Sequence, residues 1–266
     1  MIVCAVIGNP IGHSLSPVIH QEFAKQAHLD LCYEKLEGTL ENFEKQVIDF
    51  FKNGGRGLNV TLTFKERAFR LAASITPRCA EAKAANTLWM AEGVLHADNT
   101  DGCGLIKDLA HYLVLQDKNI LLLGAGGAAR GIIGPLLAAS IKNLTLVNRS
   151  KDKAENLQKE FPQIHCSSLQ SLDFKYDLIL NATSASLTNN TLDLPQKLFD
   201  NAPFCYDLAY NRENPTPFIA YALAHNCPAV DGLGMLVEQA AEAFFIWHGF
   251  KPETSEMLRY PGCRVA

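Results

Sequence analysis

An α/β fold with a parallel sheet and helices on both faces is predicted from two observations. Short apolar runs bounded by turn residues alternate with helical patterns along nearly all of the 266 residues, as βα units do. Within that alternation, Asn119 to Lys153 reads as strand, glycine-rich turn, small-residue helix, second strand and basic cluster.

The elements follow in order. Val3–Ile7 is a buried strand, and Ser16 caps a helix with Pro17 at its first position. Cys32–Leu36 is a second strand, and Thr39–Asn53 an amphipathic helix ended by Gly54-Gly55. After the short strand Gly57–Thr61, Thr63-Phe-Lys65-Glu66 has the form of a capping box that opens a helix with Lys65 in its first turn. Asn86–Met90 and Val94–Ala97 form a hairpin around Glu92-Gly93. A helix from Gly102 to about Leu115 leads into the glycine-rich unit. Strands at Ile164–Ser167, Leu178–Asn181 and Phe204–Asp207, a helix over Pro217–His225 and a last helix over Met235–His248 complete the chain.

Each part of the glycine-rich unit has a role in holding a dinucleotide. Gly124 permits a tight turn, Gly126 lets the backbone approach a pyrophosphate, and Ala129 keeps the helix close to the sheet. Amides at the start of that helix face the phosphate anions. The same turn also occurs as a purely structural link. The strand before it, the helix after it and the second strand at the right distance favour the dinucleotide. An NAD site usually has an acidic residue after the second strand; here stand Asn148 and Arg149. Arg149 and Lys153 can pair with a 2′-phosphate and Ser150 can donate to it, which points to NADP(H). Lys151 reads as a solvated charge.

Composition narrows the partners. A hydrophobic fraction of 48% and a charged fraction of 20% are ordinary for a soluble globular protein, and a net charge of −4 gives no reason to expect nucleic acid or a membrane surface. The N-terminus has no basic n-region and meets Gly-Asn-Pro too soon for a signal peptide, and no apolar run approaches the ~20 residues of a bilayer span. Eight scattered cysteines without a C-x-x-C pair read as reduced, and the histidines lack metal-ligand spacing. A cytoplasmic protein without a metal is expected.

Three polar constellations precede the glycine-rich unit. In Asn9-Pro-Ile-Gly-His-Ser14-Leu-Ser16-Pro17, Ser16 reads first as a helix cap, whereas Ser14 lies free near a helix start where an anion would sit. In Asn59-Val-Thr61-Leu-Thr63-Phe-Lys65, the lysine meets the positive end of a helix dipole. That position favours the neutral amine and suits it to proton transfer, although a surface lysine is an equal reading. Asp98-Asn-Thr-Asp101-Gly102 reads either as an Asx-type turn with an N-cap or as a site whose Asp101 carboxylate stands beside Lys65. Spacing leaves both open.

Taken together with Ala85-Asn86-Thr87, Asn148-Arg149-Ser150, Asn181-Ala-Thr-Ser184 and Asp231-Gly-Leu-Gly-Met-Leu-Val-Glu-Gln-Ala240, these motifs resemble the shikimate dehydrogenase family, in its order and over nearly the whole chain. The resemblance implies a substrate domain at 1–101, completed by a C-terminal helix at 236–266, a Rossmann-like doubly wound NADP-binding domain at 102–235, and a cleft between them. It implies reversible reduction of 3-dehydroshikimate to shikimate with NADPH, by a monomer or homodimer. Lys65 would be the acid/base and Asp101 its partner. Ser14, Ser16, Thr61, Asn86, Tyr210 and Gln239 would join them in binding substrate. Gly124, Ala125, Gly126, Gly127, Ala128, Asn148, Arg149, Ser150, Lys151, Asp152, Lys153, Leu208 and Gly232 would line the cofactor.

The chain departs from the family pattern in four places. Thr63 stands where proline is usual, with the capping box expected to replace it. Lys153 stands in an arginine position and lacks the bidentate fork, which implies a softer NADP preference. The loop Asn181–Ser186 lacks a closing glycine, and Leu208 replaces a common methionine. Two other functions share most of these motifs. A quinate/shikimate dehydrogenase using NAD is disfavoured by Arg149 with Lys153. A regulatory sensor of pathway metabolites is disfavoured because Lys65 and Asp101 are both present.

Overall fold

The computed structural model describes residues 1–61, 63–173, 175–186, 192–211 and 213–258. The chain folds as two units: Met1–Gly104 with Leu236–Met257, and Leu105–Met235 with Leu258–Ala266, of which only Leu258 is described.

In the first unit, β1 (Ile2–Gly8), α1 (Ser16–Gln26), β2 (Leu31–Glu37), α2 (Phe43–Lys52), β3 (Gly57–Val60), α3 (Lys65–Leu71), β4 (Ser74–Ile75), α4 (Pro77–Ala82), β5 (Thr87–Ala91) and β6 (Val94–Asp98) lead into α5 (Asp101–Leu109). The sheet order is β2-β1-β3-β5-β6-β4. It is not purely parallel, as the alternation led us to expect: β5 runs antiparallel to both β3 and β6. Glu92 (φ 50°) and Gly93 (φ 77°) are both left-handed, so a two-residue turn folds the strand straight back instead of routing it through a helix. The register Ile7↔Val60, Asn59↔Thr87 and Thr87↔Asp98 brings the ends of β1, β3 and β6 and the start of β5 to one edge.

Two helices are shorter than predicted. α2 begins at Phe43, because Thr39 uses its hydroxyl to accept from Asn42 N–H (3.2 Å) and its own N–H to donate to Gln46 (3.0 Å), which holds a turn there. α5 begins at Asp101 and ends at Leu109, after which the chain turns tightly to carry Leu113 and Leu115 into the core. The short β4 and α4 lie where the sequence pattern predicts no element, although Thr76 before Pro77 is a cap signal and does accept from Cys79 N–H.

The second unit holds β7 (Asn119–Leu123), α6 (Gly127–Ala138), β8 (Asn143–Val147), α7 (Lys151–Glu160), β9 (Ile164–Ser167), β10 (Leu178–Asn181), β11 (Phe204–Asp207), α8 (Pro217–Ala224), β12 (Ala229–Val230) and the first residues of α9 (Leu233–His248). Its sheet, ordered β12-β11-β10-β7-β8-β9, is parallel throughout. Apolar side chains cover both faces. Ile120 and Leu122 enter the cluster with Ile132, Ile133 and Leu136 of α6, while Leu121 and Leu123 enter the one with Phe218 and Ile219 of α8. A strand buried on both sides needs a continuous apolar run, which is why Ile120–Leu123 has one. The strand order reverses between β7 and β10, the place where such sheets bind ligands.

α9 ends at His248, and a further short helix, α10, covers Ser255–Leu258. A single helix over 236–266 is therefore not formed, because Gly249 turns left-handed (φ 69°) and Pro252 follows. Positions 259–266, including Cys263, lie outside the described residues.

Candidate active site

Lys65 owes its position to the residue before it. Phe64 is fully buried, stacks on Phe43 (4.6 Å, 2°) and fills the space over Gly38, where an added Cβ would lie 2.5 Å from its ring. The expected capping box does not form. Thr63 has φ 78° and its hydroxyl donates to the Asn9 carbonyl (3.3 Å), leaving Phe64 as an N-cap without a side-chain bond. A capping threonine needs an extended backbone. Here the chain instead takes a left-handed step that sets Phe64 into the core. Lys65, first in α3, also accepts Ala85 N–H at its carbonyl (2.8 Å).

The Lys65 Nζ lies 2.6 Å from Asp101 Oδ2; the side chains are 26% and 9% exposed. Asp101 is fixed from several directions. Its N–H donates to Asn99 Oδ1 (3.0 Å), so the Asx-type turn exists, and its Oδ1 accepts from Asn86 Nδ2 (2.9 Å). The Asp98–Gly102 segment thus holds both an Asx-type turn and a carboxylate beside Lys65. Asn86 also accepts Thr100 N–H (2.9 Å) and donates toward Thr100 Oγ1 (2.9 Å) and Gln239 Oε1 (3.1 Å). Asn86, Asp101 and Gln239 are all buried.

Beneath them lie two residues that the sequence motifs contain but assign no role. Asn59 donates to the Asn86 carbonyl (3.0 Å) and accepts from Tyr33 Oη (2.7 Å), and Thr100 is fully buried between Asn86 and Gln239. An asparagine inside the apolar run of β3 was a readable signal, since a buried amide must find partners.

Ser14 and Ser16 are joined, the Ser14 hydroxyl donating to Ser16 Oγ (3.2 Å) and accepting Ser16 N–H (3.3 Å). Ser16 is therefore not the cap of α1. It is the first helical residue, behind Leu15 at the cap and ahead of Pro17. The loop after β1 and Thr61 after β3 leave the same sheet edge, and Thr61 N–H donates to Ile7 (2.9 Å). Seven of the eight substrate candidates belong to the first unit. Tyr210, half-buried after β11, belongs to the second.

The second unit carries the dinucleotide candidates. Gly124 is left-handed (φ 106°), and an added Cβ would meet the Ala182 backbone at 3.0 Å, so this turn admits only glycine without strain. Gly126 and Gly127 are exposed, and a Cβ on either would meet nothing within 4 Å. That open approach to the start of α6 fits a pyrophosphate. Ala129 is fully buried beneath the turn. Asn148 ties the turn to β8, accepting Ala125 N–H (3.1 Å) and donating to the Ser150 carbonyl (2.8 Å).

Arg149, Ser150, Asp152 and Lys153 are exposed, and among the described residues neither Arg149 nor Lys153 is ion-paired. Lys151 pairs with Glu155 on its own helix (3.3 Å). The Ser150 hydroxyl is not used to cap α7, and Asp152 in the first turn complements the helix dipole. Gly232 is a close-packing glycine, since a Cβ would lie 2.3 Å from the Leu208 carbonyl oxygen. Asp207, buried at the end of β11, accepts from Ser186 (2.6 Å), Thr216 (2.6 Å), Asn181 (3.1 Å) and Ala209 N–H (3.1 Å). Burial raises its pKa and these bonds oppose the rise. Ser186, where the loop lacks a glycine, is thus an anchor. Among the described residues no group of three metal-ligating side chains gathers, and no helix is long and apolar enough to cross a membrane.

The chain resembles known proteins along most of its length. Residues 6–88 match the family described as the shikimate dehydrogenase substrate binding domain, 107–213 match shikimate / quinate 5-dehydrogenase, and 232–259 match the shikimate 5′-dehydrogenase C-terminal domain. A shikimate dehydrogenase (NADP(+)) of Legionella pneumophila (strain Corby) is 59% identical over 256 residues, covering 96% of this chain and 97% of its own. One of Acinetobacter baumannii (strain SDF) is 44% identical over 261 residues, covering 96% and 98%. The crystal structure of shikimate 5-dehydrogenase from Thermus thermophilus in complex with NADP(H) and shikimate superposes with a TM-score of 0.88 at 33% identity over 97% of both chains.

Proposed function

The chain belongs to the shikimate dehydrogenase family, and from that premise we propose that it interconverts 3-dehydroshikimate and shikimate with NADP(H), a step of aromatic amino-acid biosynthesis. The observation that carries the reading is the Lys65–Asp101 pair at 2.6 Å, with the second oxygen of Asp101 engaged by Asn86. In the reductive direction the Lys65 ammonium gives a proton to the carbonyl oxygen while hydride reaches the carbon. In the oxidative direction the amine takes the hydroxyl proton back. Asp101 holds the amine in line and orients the reacting hydroxyl. Ser14, Ser16, Thr61, Asn86, Tyr210 and Gln239 bind the carboxylate and the remaining hydroxyls.

When bound, NADPH supplies the hydride. The turn from Gly124 to Ala128 would receive its pyrophosphate, and Leu208 and Gly232 would line the cofactor. Asn148 shapes the turn, and Arg149, Ser150 and Lys153 would receive the 2′-phosphate. Lys151 and Asp152 would line the cofactor beside them. The exposed guanidinium of Arg149, without an ion pair among the described residues, supports NADP over NAD. A cytoplasmic setting, where NADPH is available, suits the reaction.

The test is steady-state nicotinamide reduction by the purified protein, crossing shikimate and quinate with NADP and NAD. Turnover confined to shikimate with NADP is expected. Comparable rates with quinate or NAD would move the assignment to the broader dehydrogenase, and ligand binding without turnover would indicate a sensor.

A further inference from the structure

Behind the Lys65–Asp101 pair, a single guanidinium grips two carboxylates that lie far apart in sequence. Arg78, in the first turn of α4, donates to Asp98 through Nε (2.8 Å to Oδ1) and Nη2 (2.6 Å to Oδ2), a bidentate pair. The remaining face of the same fork reaches Glu242 Oε1 from Nη1 and Nη2, both at 3.2 Å. Asp98 is buried and spends its other capacity on Thr76 Oγ1 (2.5 Å) and Asn99 N–H (2.7 Å). Asn99 in turn accepts Asp101 N–H (3.0 Å), so a continuous chain of bonds runs from Arg78 to the backbone of Asp101. Glu242 stands three residues after Gln239 on α9, one turn along the same side of the helix.

We infer that Arg78 is a positioning residue, one fork that sets both the Asp101 loop and the helix carrying Gln239. The inference rests on the reading of Lys65, Asp101 and Gln239 as the site of shikimate turnover. Arginine suits the position because two carboxylates must be held at fixed angles, which the point charge of a lysine does not do.

The experiment compares full-length wild type with Arg78→Gln, Arg78→Lys and Glu242→Gln, measuring steady-state shikimate oxidation with NADP and thermal unfolding. Arg78→Gln is expected to lower kcat and raise the KM for shikimate by about tenfold or more each, with the KM for NADP within about twofold. Arg78→Lys is expected to regain most of the melting temperature but not kcat. Glu242→Gln is expected to raise the KM for shikimate with kcat near wild type, since only the Gln239 arm is loosened. If Arg78→Lys restores every kinetic parameter, or if Arg78→Gln melts lower but keeps wild-type kinetics per folded molecule, Arg78 is only a structural ion pair. Should Arg78→Gln fail to fold, wild-type kinetics in both other variants overturn the inference. An inactive wild type would instead overturn the enzyme reading itself.

Discussion

Lys65 and Arg149 carry different parts of the proposed chemistry, and single substitutions separate them. Lys65→Ala removes the proton-transfer group but leaves Asp101 held by Asn86 and Asn99. Turnover is expected to fall by roughly three or more powers of ten, with shikimate binding changed by less than about tenfold. Equal losses of rate and affinity would make Lys65 a substrate anchor. Arg149→Ala should raise the KM for NADP well above its effect on the KM for NAD, because only the former carries the 2′-phosphate. Parallel shifts in the two would refute that account. Both expectations arise from the sequence for the same reason: each charge stands where no structural need calls for it. No expectation arises for Arg78, because its partner Glu242 lies 164 positions away.

At the scale of elements, the turn from β7 into α6 offers a contrast between two glycines. Gly124 is left-handed and pressed to 3.0 Å of the Ala182 backbone, whereas Gly126 has an extended backbone and open space. Gly124→Ala should therefore cost about 1–3 kcal/mol in urea unfolding. Gly126→Ala should leave stability within about 0.5 kcal/mol while raising the KM for NADP at least severalfold, since its methyl meets only the ligand. Reversed effects would mean that the turn does not hold a pyrophosphate. These glycines were readable because their demands are local. The caps were misjudged because theirs are not: Ser16 and Thr63 have the right chemistry, but Ser14 takes the N–H of Ser16, and burial of Phe64 dictates the backbone at Thr63.

The whole molecule should respond to acid through buried histidines. His20 is fully buried, stacked on Tyr33 (4.3 Å) and Trp247 (5.3 Å), and burial pushes its pKa down to about 3. Burial and Arg56 push that of His248 down to about 4. Between these values and about 6.5 the unfolded chain binds more protons than the folded one, so this stability is present above about pH 6.5 and is lost as pH falls. For His20 the slope approaches ~1.4 kcal/mol per pH unit. Asp231 works the other way: burial raises its pKa to about 6, so its contribution is present at low pH and is lost as pH rises toward and through that value. His20→Phe keeps the stacking and removes the titration. Its unfolding free energy should fall less steeply than wild type between pH 6.5 and 5, and an unchanged slope would show that His20 does not titrate on unfolding.

The sequence by itself determined the alternation of strands and helices, the dinucleotide turn, the basic cluster and the residues of the proposed site. Each of these rests on periodicity, a backbone requirement or a charge within a few neighbouring residues. Only the tertiary structure decided that the first sheet is mixed, that Asp101, held by Asn86, pairs with Lys65, and that Asn59, Thr100 and Arg78 join the network around them. Strand order and buried polar partners are settled by which distant segments shut water out together, and no local pattern encodes that choice.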